Sequence, residues 1–153
     1  YDRVTCDGLS NSAFPTEAPL FTFNPLTLTV TGDASGIDDA LTLGKSYNLP
    51  IFITETGTLD DADTGAAAKW VAETFTRARR QMDEGVRLEG IYYWTLMDNY
   101  EWNHGMSQRY GMYAVDKNDS TKARVPRPKL IDAFKRIAAT GLIPDDLVIP
   151  PAQ

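Results

Sequence analysis

The chain has 153 residues, of which 42% are hydrophobic and 24% are charged, and its formal net charge is −6. These proportions are typical of a globular domain and argue against disorder. The negative charge disfavours a nucleic-acid partner, which a basic face would bind, and no apolar run reaches the length of a membrane span. The single cysteine, Cys6, has no second cysteine with which to form an internal disulfide.

Residues 1–35 are rich in Ser, Thr, Pro, Asn and Gly, and Pro15, Pro19 and Pro25 interrupt them. This composition predicts an irregular connection with at most short strands. The first residues, Tyr1-Asp2-Arg3, include no Met and do not begin the basic and apolar regions of a signal peptide. We therefore expect an internal start that carries no information on export. The compartment is left unknown, with a cytoplasmic one favoured.

From Gly36 onward, helical and extended patterns alternate. A short helix is predicted by apolar residues near one face, namely Ile37, Ala40, Leu41 and Tyr47. The apolar, β-branched run Pro50–Thr54 then predicts a strand that is buried on both faces. A longer helix follows, with Asp63 or Thr64 as its cap and Gly85 as its end. Its apolar residues form one stripe: Ala67, Trp70, Val71, Thr74, Phe75, Ala78 and Met82.

The second strong strand is predicted at Gly90–Leu96. Because a crossover helix joins it to Pro50–Thr54, we expect the two strands to be adjacent and parallel. A hairpin or strand over Arg109–Val115 and a helix from Pro128 to Gly141 complete the pattern. Three helices and two strong strands make less than half of a (β/α)8 barrel, which usually needs ~250 residues. Since two strands alone would leave unpaired edges, we expect the C-terminal part of a larger barrel.

Two glutamates each follow a predicted buried strand. Glu55 comes directly after Ile53-Thr54, and Glu101 follows the aromatic segment that starts at Tyr92. At such positions in a barrel, a carboxylate is either catalytic or structural, neutralised by a nearby Arg or amide. The residue types alone leave both interpretations open.

The segments around these glutamates resemble two signatures of glycoside hydrolase family 1. Ile53-Thr54-Glu55-Thr56-Gly57 is similar to the family's Ile-Thr-Glu-Asn-Gly, and the run from Tyr93 to Trp102 resembles the signature of its eighth strand. Gly105–Gly111 and Pro126–Lys129 continue the resemblance, which covers about residues 36–141. Both signatures in this order are highly specific.

The resemblance implies retaining hydrolysis of β-linked glycosides, of the β-glucosidase type, on a (β/α)8 TIM barrel. It places about strands 6–8 in this chain: residues 1–35 as a connection, 36–141 as strands 7 and 8 with their helices, and 142–153 as a tail. The expected ligand is a β-glycoside or oligosaccharide, with no cofactor and no metal. The nearby Asp60, Asp61 and Asp63 lack other ligand types and are expected to form only a solvated helix start.

Site residues follow from the same resemblance. Glu55 matches the nucleophile, which must be ionised, so hydrogen bonds or positive charge should favour its carboxylate. Tyr1 matches the end of a strand-six segment whose tyrosine hydrogen-bonds that nucleophile.

Four further residues match sugar-binding positions of the family. Glu101 and Trp102 match the pair that holds sugar hydroxyls, the carboxylate accepting hydrogen bonds and the indole donating one. Trp94 matches the platform under the sugar, with a core tryptophan as the alternative. Tyr110 occupies an aromatic rim position that is usually Phe.

Two departures from the family pattern stand out. Thr56 replaces the usual Asn, and the Asn-Glu-Pro triplet that carries the acid/base occurs nowhere in the chain. We therefore expect an N-terminal part of the barrel, on the same parent chain or on a second chain, to supply the acid/base. The alternative is a non-catalytic sugar-binding or scaffold remnant. The intact Glu55 favours the enzyme, because binding alone needs no nucleophile.

Overall fold

The computed structural model describes residues 3–4, 22–24 and 29–148. Its strands are β1 (Arg3–Val4), β2 (Thr22–Asn24), β3 (Thr29–Asp33), β4 (Ile51–Thr56), β5 (Leu88–Tyr93), β6 (Tyr113–Val115) and β7 (Arg124–Pro126). Its α-helices are α1 (Gly36–Lys45), α2 (Ala66–Asp83) and α3 (Pro128–Thr140), and two short 3₁₀ turns span Trp102–His104 and Asp145–Leu147. None of the described helices has the length and apolarity that a bilayer span requires.

The strands β4 and β5 are neighbours and run parallel, with α2 as the crossover between them. The predicted adjacency of the two strong strands is therefore confirmed. The strand bounds differ from the prediction, since β5 begins at Leu88 and ends at Tyr93 instead of covering Gly90–Leu96. Elsewhere in the described residues, β1, β3 and β2 form an antiparallel sheet in that order, and β6 pairs antiparallel with β7.

The pairing of β4 with β5 is irregular at two points, and between Ile53 and Thr56 one residue of β4 is extra. Ile53 pairs with Ile91 and Thr56 pairs with Tyr93, so three steps along β4 match two steps along β5. An extra residue of this kind forms a β-bulge, which changes the direction of the side chains around it. Glu55 lies inside this bulge, between Ile53 and Thr56.

The helices cover one face of the β4–β5 pair. Ile51, Ile53 and Ile91 pack on a buried cluster contributed by α1, α2, the segment before β5 and the first residue of β5: Ile37, Leu41, Ala78, Val86 and Leu88. A second cluster joins α2 to α3 and to the chain before β6: Ala67, Val71, Met112, Leu130 and Ile137.

The opposite face of the pair is open in the described part of the chain. Phe52 is 50% exposed and Tyr92 is 59% exposed. The prediction that Pro50–Thr54 is buried on both faces is therefore wrong here, because the described residues supply helices to one side only. Tyr47 also departs from its predicted inward position, since it lies beyond the end of α1 and is 69% exposed.

Three neighbouring aspartates fix the starts of α2 and α3. Asp60 is only 6% exposed, and its carboxylate accepts the backbone N–H groups of Thr64, Gly65 and Ala67 at 2.7, 3.0 and 3.1 Å. Burial by itself would raise the pKa of Asp60, but these hydrogen bonds outweigh it and lower the pKa. Asp60 therefore caps α2 from outside the helix, whose N-cap residue is Gly65. The Thr64 hydroxyl also accepts the N–H of Ala66 at 3.4 Å, so the expected cap is confirmed in part at Thr64 and is wrong at Asp63.

Asp61 and Asp63 bind other parts of the chain. Asp63 accepts the backbone N–H groups of Lys129 and Leu130 in the first turn of α3, at 3.0 and 3.3 Å. Asp61 pairs with Arg127 at 3.1 Å. The expectation of a merely solvated helix start is wrong, because these carboxylates join α2, α3 and the segment between them.

Candidate active site

The two predicted carboxylates lie at the same end of the parallel pair. Glu55 is the penultimate residue of β4, and Glu101 lies in the loop that follows β5. Because β4 and β5 are parallel, their C-terminal ends meet at one edge, which is where β/α barrels place their chemistry.

Glu55 presents its side chain to solvent from the bulge. In the part of the chain that the structure describes, no group forms a hydrogen bond or ion pair with its carboxylate. The expected support for an ionised Glu55 is therefore still a prediction. Tyr1, which was expected to provide part of it, lies outside the described residues.

The residues directly after Glu55 are tightly held. The backbone oxygen of Thr56 accepts the N–H of Trp94 at 2.8 Å, and its hydroxyl accepts the indole N–H of Trp70 at 3.0 Å. Thr56 is only 9% exposed. A Cβ on Gly57 would lie 2.1 Å from the backbone oxygen of Trp94, so only glycine allows this close approach. The contacts of Trp70 and Gly57 were not predicted from the sequence.

The loop after β5 exposes Trp102 next to Glu101. The backbone N–H of Glu101 donates to the oxygen of Gly105 at 2.7 Å, which closes the loop around the 3₁₀ turn. Trp102 has a φ of 41° and is 84% exposed. A bulky residue in this left-handed region is strained, and such strain is concentrated at functional sites.

Trp94 and Tyr110 flank the same end of the pair. Trp94 directly follows β5 and is 38% exposed, so it is not a core tryptophan in the described structure. Its peptide bond to Thr95 is cis. Tyr110 is partly buried, and its backbone oxygen accepts the hydroxyl of Tyr93 at 3.0 Å. Burial is the main reason why the pKa of Tyr93 is raised.

A buried ion pair anchors the loop that carries Glu101. The Arg127 guanidinium binds both carboxylate oxygens of Asp98, at 3.0 and 3.1 Å, and their side chains are 4% and 0% exposed. Asp98 also accepts the backbone N–H of Gly111 at 2.9 Å. Burial by itself would lower the pKa of Arg127, but the hydrogen bonds and charges of Asp98 and Asp61 outweigh it and raise the pKa.

The sequence motifs contain both partners of this pair but give no sign that they meet. The available signal was chemical: an aspartate in an otherwise apolar and aromatic run needs a cation or several N–H donors when it is buried. The structure thus brings Glu55, Trp94, Glu101, Trp102 and Tyr110 to one end of the sheet. Within the described residues, no group of three or more His, Cys, Asp or Glu side chains is arranged to hold a metal ion.

Parallel strands joined by a helix, with glutamates and exposed tryptophans at their C-terminal ends, define a segment of a β/α-barrel protein. Comparison with known proteins identifies the family. The protein-family model described as "Glycosyl hydrolase family 1" matches residues 25–139 of this chain. The chain belongs to this family, and it forms part of the family's (β/α)8 barrel.

The relatives are glycosidases that are much longer than this chain. A β-galactosidase of Saccharolobus solfataricus is 34% identical over 123 residues, which cover 77% of this chain and 24% of the relative. A β-galactosidase of Sulfolobus acidocaldarius is 32% identical over 146 residues, which cover 95% of this chain and 27% of the relative. The solved β-glycosidase from Pyrococcus horikoshii is 27% identical with a TM-score of 0.70, covering 85% of this chain and 34% of that structure. The chain thus spans about a quarter of the two β-galactosidases.

Proposed function

We propose that the protein containing this chain hydrolyses β-linked glycosides with retention of configuration, in the manner of a β-glucosidase, and that Glu55 is its nucleophile. The observation that carries the proposal is the place of Glu55: an exposed carboxylate in a bulge at the C-terminal end of a barrel strand. Two relatives named as β-galactosidases and one named as a β-glycosidase support the class of substrate.

The proposed reaction has two steps. In the first, a Glu55 oxygen attacks the anomeric carbon of the sugar while an acid/base carboxylate protonates the departing glycosidic oxygen. In the second, the same acid/base removes a proton from water, the water oxygen attacks the anomeric carbon, and the Glu55 carboxylate leaves. This geometry requires the two carboxyl groups to lie about 5–5.5 Å apart.

The acid/base must come from outside these 153 residues, because they contain no Asn-Glu-Pro triplet. We assign it to an N-terminal part of the barrel, on the same parent chain or on a second chain. In this proposal, residues 1–153 are the C-terminal segment of one barrel domain. The open face that includes Phe52 and Tyr92 is consistent with such a partner, because apolar surface of this kind is normally covered.

Four residues are proposed to hold the sugar. The Glu101 carboxylate accepts hydrogen bonds from sugar hydroxyls, and the Trp102 indole N–H donates one. The Trp94 ring packs against the C–H face of the sugar, and Tyr110 forms the rim. The exposure of Trp102 and its left-handed backbone support this role, because they present an indole to solvent at a conformational cost.

Mutation and covalent trapping in the complete protein test the two glutamates. Glu55→Gln is expected to abolish turnover while preserving the fold and ground-state sugar binding, because the amide keeps the shape but cannot attack carbon. A 2-fluoro glycoside that traps the glycosyl-enzyme should label the peptide containing Glu55. Labelling of Glu101, or undiminished turnover in Glu55→Gln, would show that the two glutamates are assigned wrongly.

Glu101→Gln is the matched comparison. It is expected to weaken sugar binding and turnover together, by an amount typical of a charge-assisted hydrogen bond, about 1.5–3 kcal/mol. A variant that loses turnover completely with unchanged binding would contradict the assigned role of Glu101.

The second candidate is a sugar-binding or scaffold remnant without catalysis. It is favoured by the combination of an exposed Trp102 with the absence of Asn-Glu-Pro from this chain. The parent reading frame, or a co-purifying chain, distinguishes the two functions. An Asn-Glu-Pro segment there supports the enzyme, and its absence from both supports the remnant.

A further inference from the structure

We propose that Thr56 and Trp70 form a positioning pair that fixes the orientation of Glu55. This inference rests on the proposed function, since it gives the pair its role through the nucleophile. Neither residue is proposed to touch the substrate.

The pair is a single hydrogen bond in a buried setting. Trp70 lies in the apolar stripe of α2 and is 8% exposed, and its indole N–H donates to the Thr56 hydroxyl at 3.0 Å. A buried indole N–H without an acceptor is costly, so this contact has a strong preference to form. It joins the last residue of β4 to the helix that packs on the sheet.

The bulge is the reason why this bond affects Glu55. An extra residue in a bulge has no partner in the ladder, so its direction depends on the residues that anchor the strand on either side. On the N-terminal side the anchor is the pairing of Ile53 with Ile91. On the C-terminal side it is Thr56, through its backbone bond to Trp94 and its side-chain bond to Trp70.

The hydrogen bond also selects which face each side chain occupies. Thr56 is buried against α2, whereas its neighbour Glu55 is exposed. Because successive strand residues point to opposite faces, a one-residue slip would turn Glu55 toward the helices. The Thr56 hydroxyl opposes such a slip because it accepts the indole N–H of Trp70. No other residue of β4 in the described structure accepts that indole N–H.

The test compares variants of the complete protein, with the acid/base segment present. Thr56→Val removes the acceptor with little change in shape, and Trp70→Phe removes the donor together with part of the buried ring. We measure the limiting rate of glycosyl-enzyme formation with a 2-fluoro glucoside bearing an activated leaving group, and its dissociation constant. Each variant is expected to lower the rate by about 10- to 100-fold, the effect of a small misplacement of a reacting group. The dissociation constant should not change.

Three further variants separate positioning from general packing. Thr56→Ser keeps the hydroxyl and should restore most of the rate. The double variant Thr56→Val/Trp70→Phe should lose no more than either single one, because both act through the same bond. Thr74→Val is the matched control: Thr74 lies one turn further along α2, is 1% exposed, and its hydroxyl has no hydrogen-bond partner among the described residues. Its rate should equal that of the unmodified protein.

All rates are taken at a temperature at which circular dichroism shows that each variant is folded. If Thr56→Val does not fold, Trp70→Phe and Thr56→Ser carry the test.

Unchanged rates in the folded variants that lack the bond, with Glu55 still labelled in the unmodified protein, would overturn the positioning pair and leave the proposed function intact. An equal loss in Thr74→Val would also overturn it, since packing alone would then explain the effect. If the unmodified protein is not labelled at Glu55, the proposed function fails and the positioning pair fails with it.

Discussion

The C-terminal ends of β4 and β5 are held by different chemistry. At the end of β4, one neutral hydrogen bond from Trp70 holds Thr56, the residue next to Glu55. Beyond β5, a buried ion pair between Asp98 and Arg127 holds a loop in which Glu101, the proposed sugar-binding residue, lies three positions after Asp98. The hydrogen bond at Thr56 is weak and lies next to Glu55, whereas the ion pair at Asp98 is strong and lies further from Glu101.

This difference follows from the backbone around each of the two glutamates. Glu55 lies between residues of β4 that pair with β5, so the paired backbone on either side already limits its freedom and a small restraint is enough. Glu101 belongs to a loop whose own backbone bonds, such as the one from Glu101 to Gly105, do not tie it to the β4–β5 pair, so a link to a distant segment is needed to hold it. Arg127 supplies that link from the start of α3, where it also binds Asp61.

Removing the remote anchor should give the largest effect on stability. Arg127→Met leaves the Asp98 carboxylate buried without its cation, and we expect a loss of about 3–5 kcal/mol in the free energy of unfolding. Adding Asp98→Asn should recover part of the loss, because the buried charge is then also gone. Urea unfolding of the complete protein measures both, and sugar binding should weaken with the loosened loop.

The exposed pair between Arg109 and Asp61 is the control for that variant. Its side chains are 37% and 66% exposed, and its N–O distance is 3.2 Å. Arg109→Gln should therefore cost only about 0–1 kcal/mol. Equal losses for Arg127→Met and Arg109→Gln would show that burial of the ion pair is not what holds the loop.

Acid titration tests how much the Asp60 carboxylate, which caps α2, contributes to stability. Asp60 has a folded-state pKa below its ordinary value, so the contribution of its carboxylate to stability is present above the unfolded pKa, ~3.9, and is lost as the pH falls through the folded pKa. Asp60→Asn should cost about 1–2 kcal/mol at neutral pH, because an amide cannot accept all of these N–H groups. The difference should begin to narrow as the pH falls below about 4.

Thermal unfolding of both proteins at neutral and acidic pH measures this effect. The Asp60→Asn variant carries an uncharged cap at every pH, so its stability should fall less steeply on the acid side. A constant difference between the two proteins at all pH values would contradict a role for the Asp60 charge.

The smallest expected effect concerns a buried hydroxyl without an anchor role. Thr74→Val removes a hydroxyl that has no partner among the described residues, while Thr56→Val removes one that binds Trp70. The first change should raise the free energy of unfolding by up to about 1 kcal/mol, and the second should lower it by a similar amount. Chemical denaturation distinguishes the two signs, and the same sign for both would remove the energetic distinction between these threonines.

The sequence by itself determined the features that are encoded locally. The apolar runs and helical stripes predicted the parallel pair with its crossover helix, and Gly85 and Gly141 ended their helices as expected. Both glycines have positive φ angles, 93° and 67°, which other residues adopt with difficulty. The motifs also placed Glu55 and Glu101 at the C-terminal ends of neighbouring strands, because a motif fixes position along a strand.

Only the tertiary structure decided which distant residues meet. Asp98 and Arg127 are 29 positions apart, and Thr56 and Trp70 are 14 apart. Such contacts depend on the bulge in β4, on the rotation of α2 and on the path of the chain into α3. Periodicity does not contain these quantities, because it records which face of an element is apolar and not what that face touches. The same limit explains why Asp60 was expected to be solvated and Asp63 was expected to cap α2: a cap is chosen by geometry in three dimensions among several nearby carboxylates.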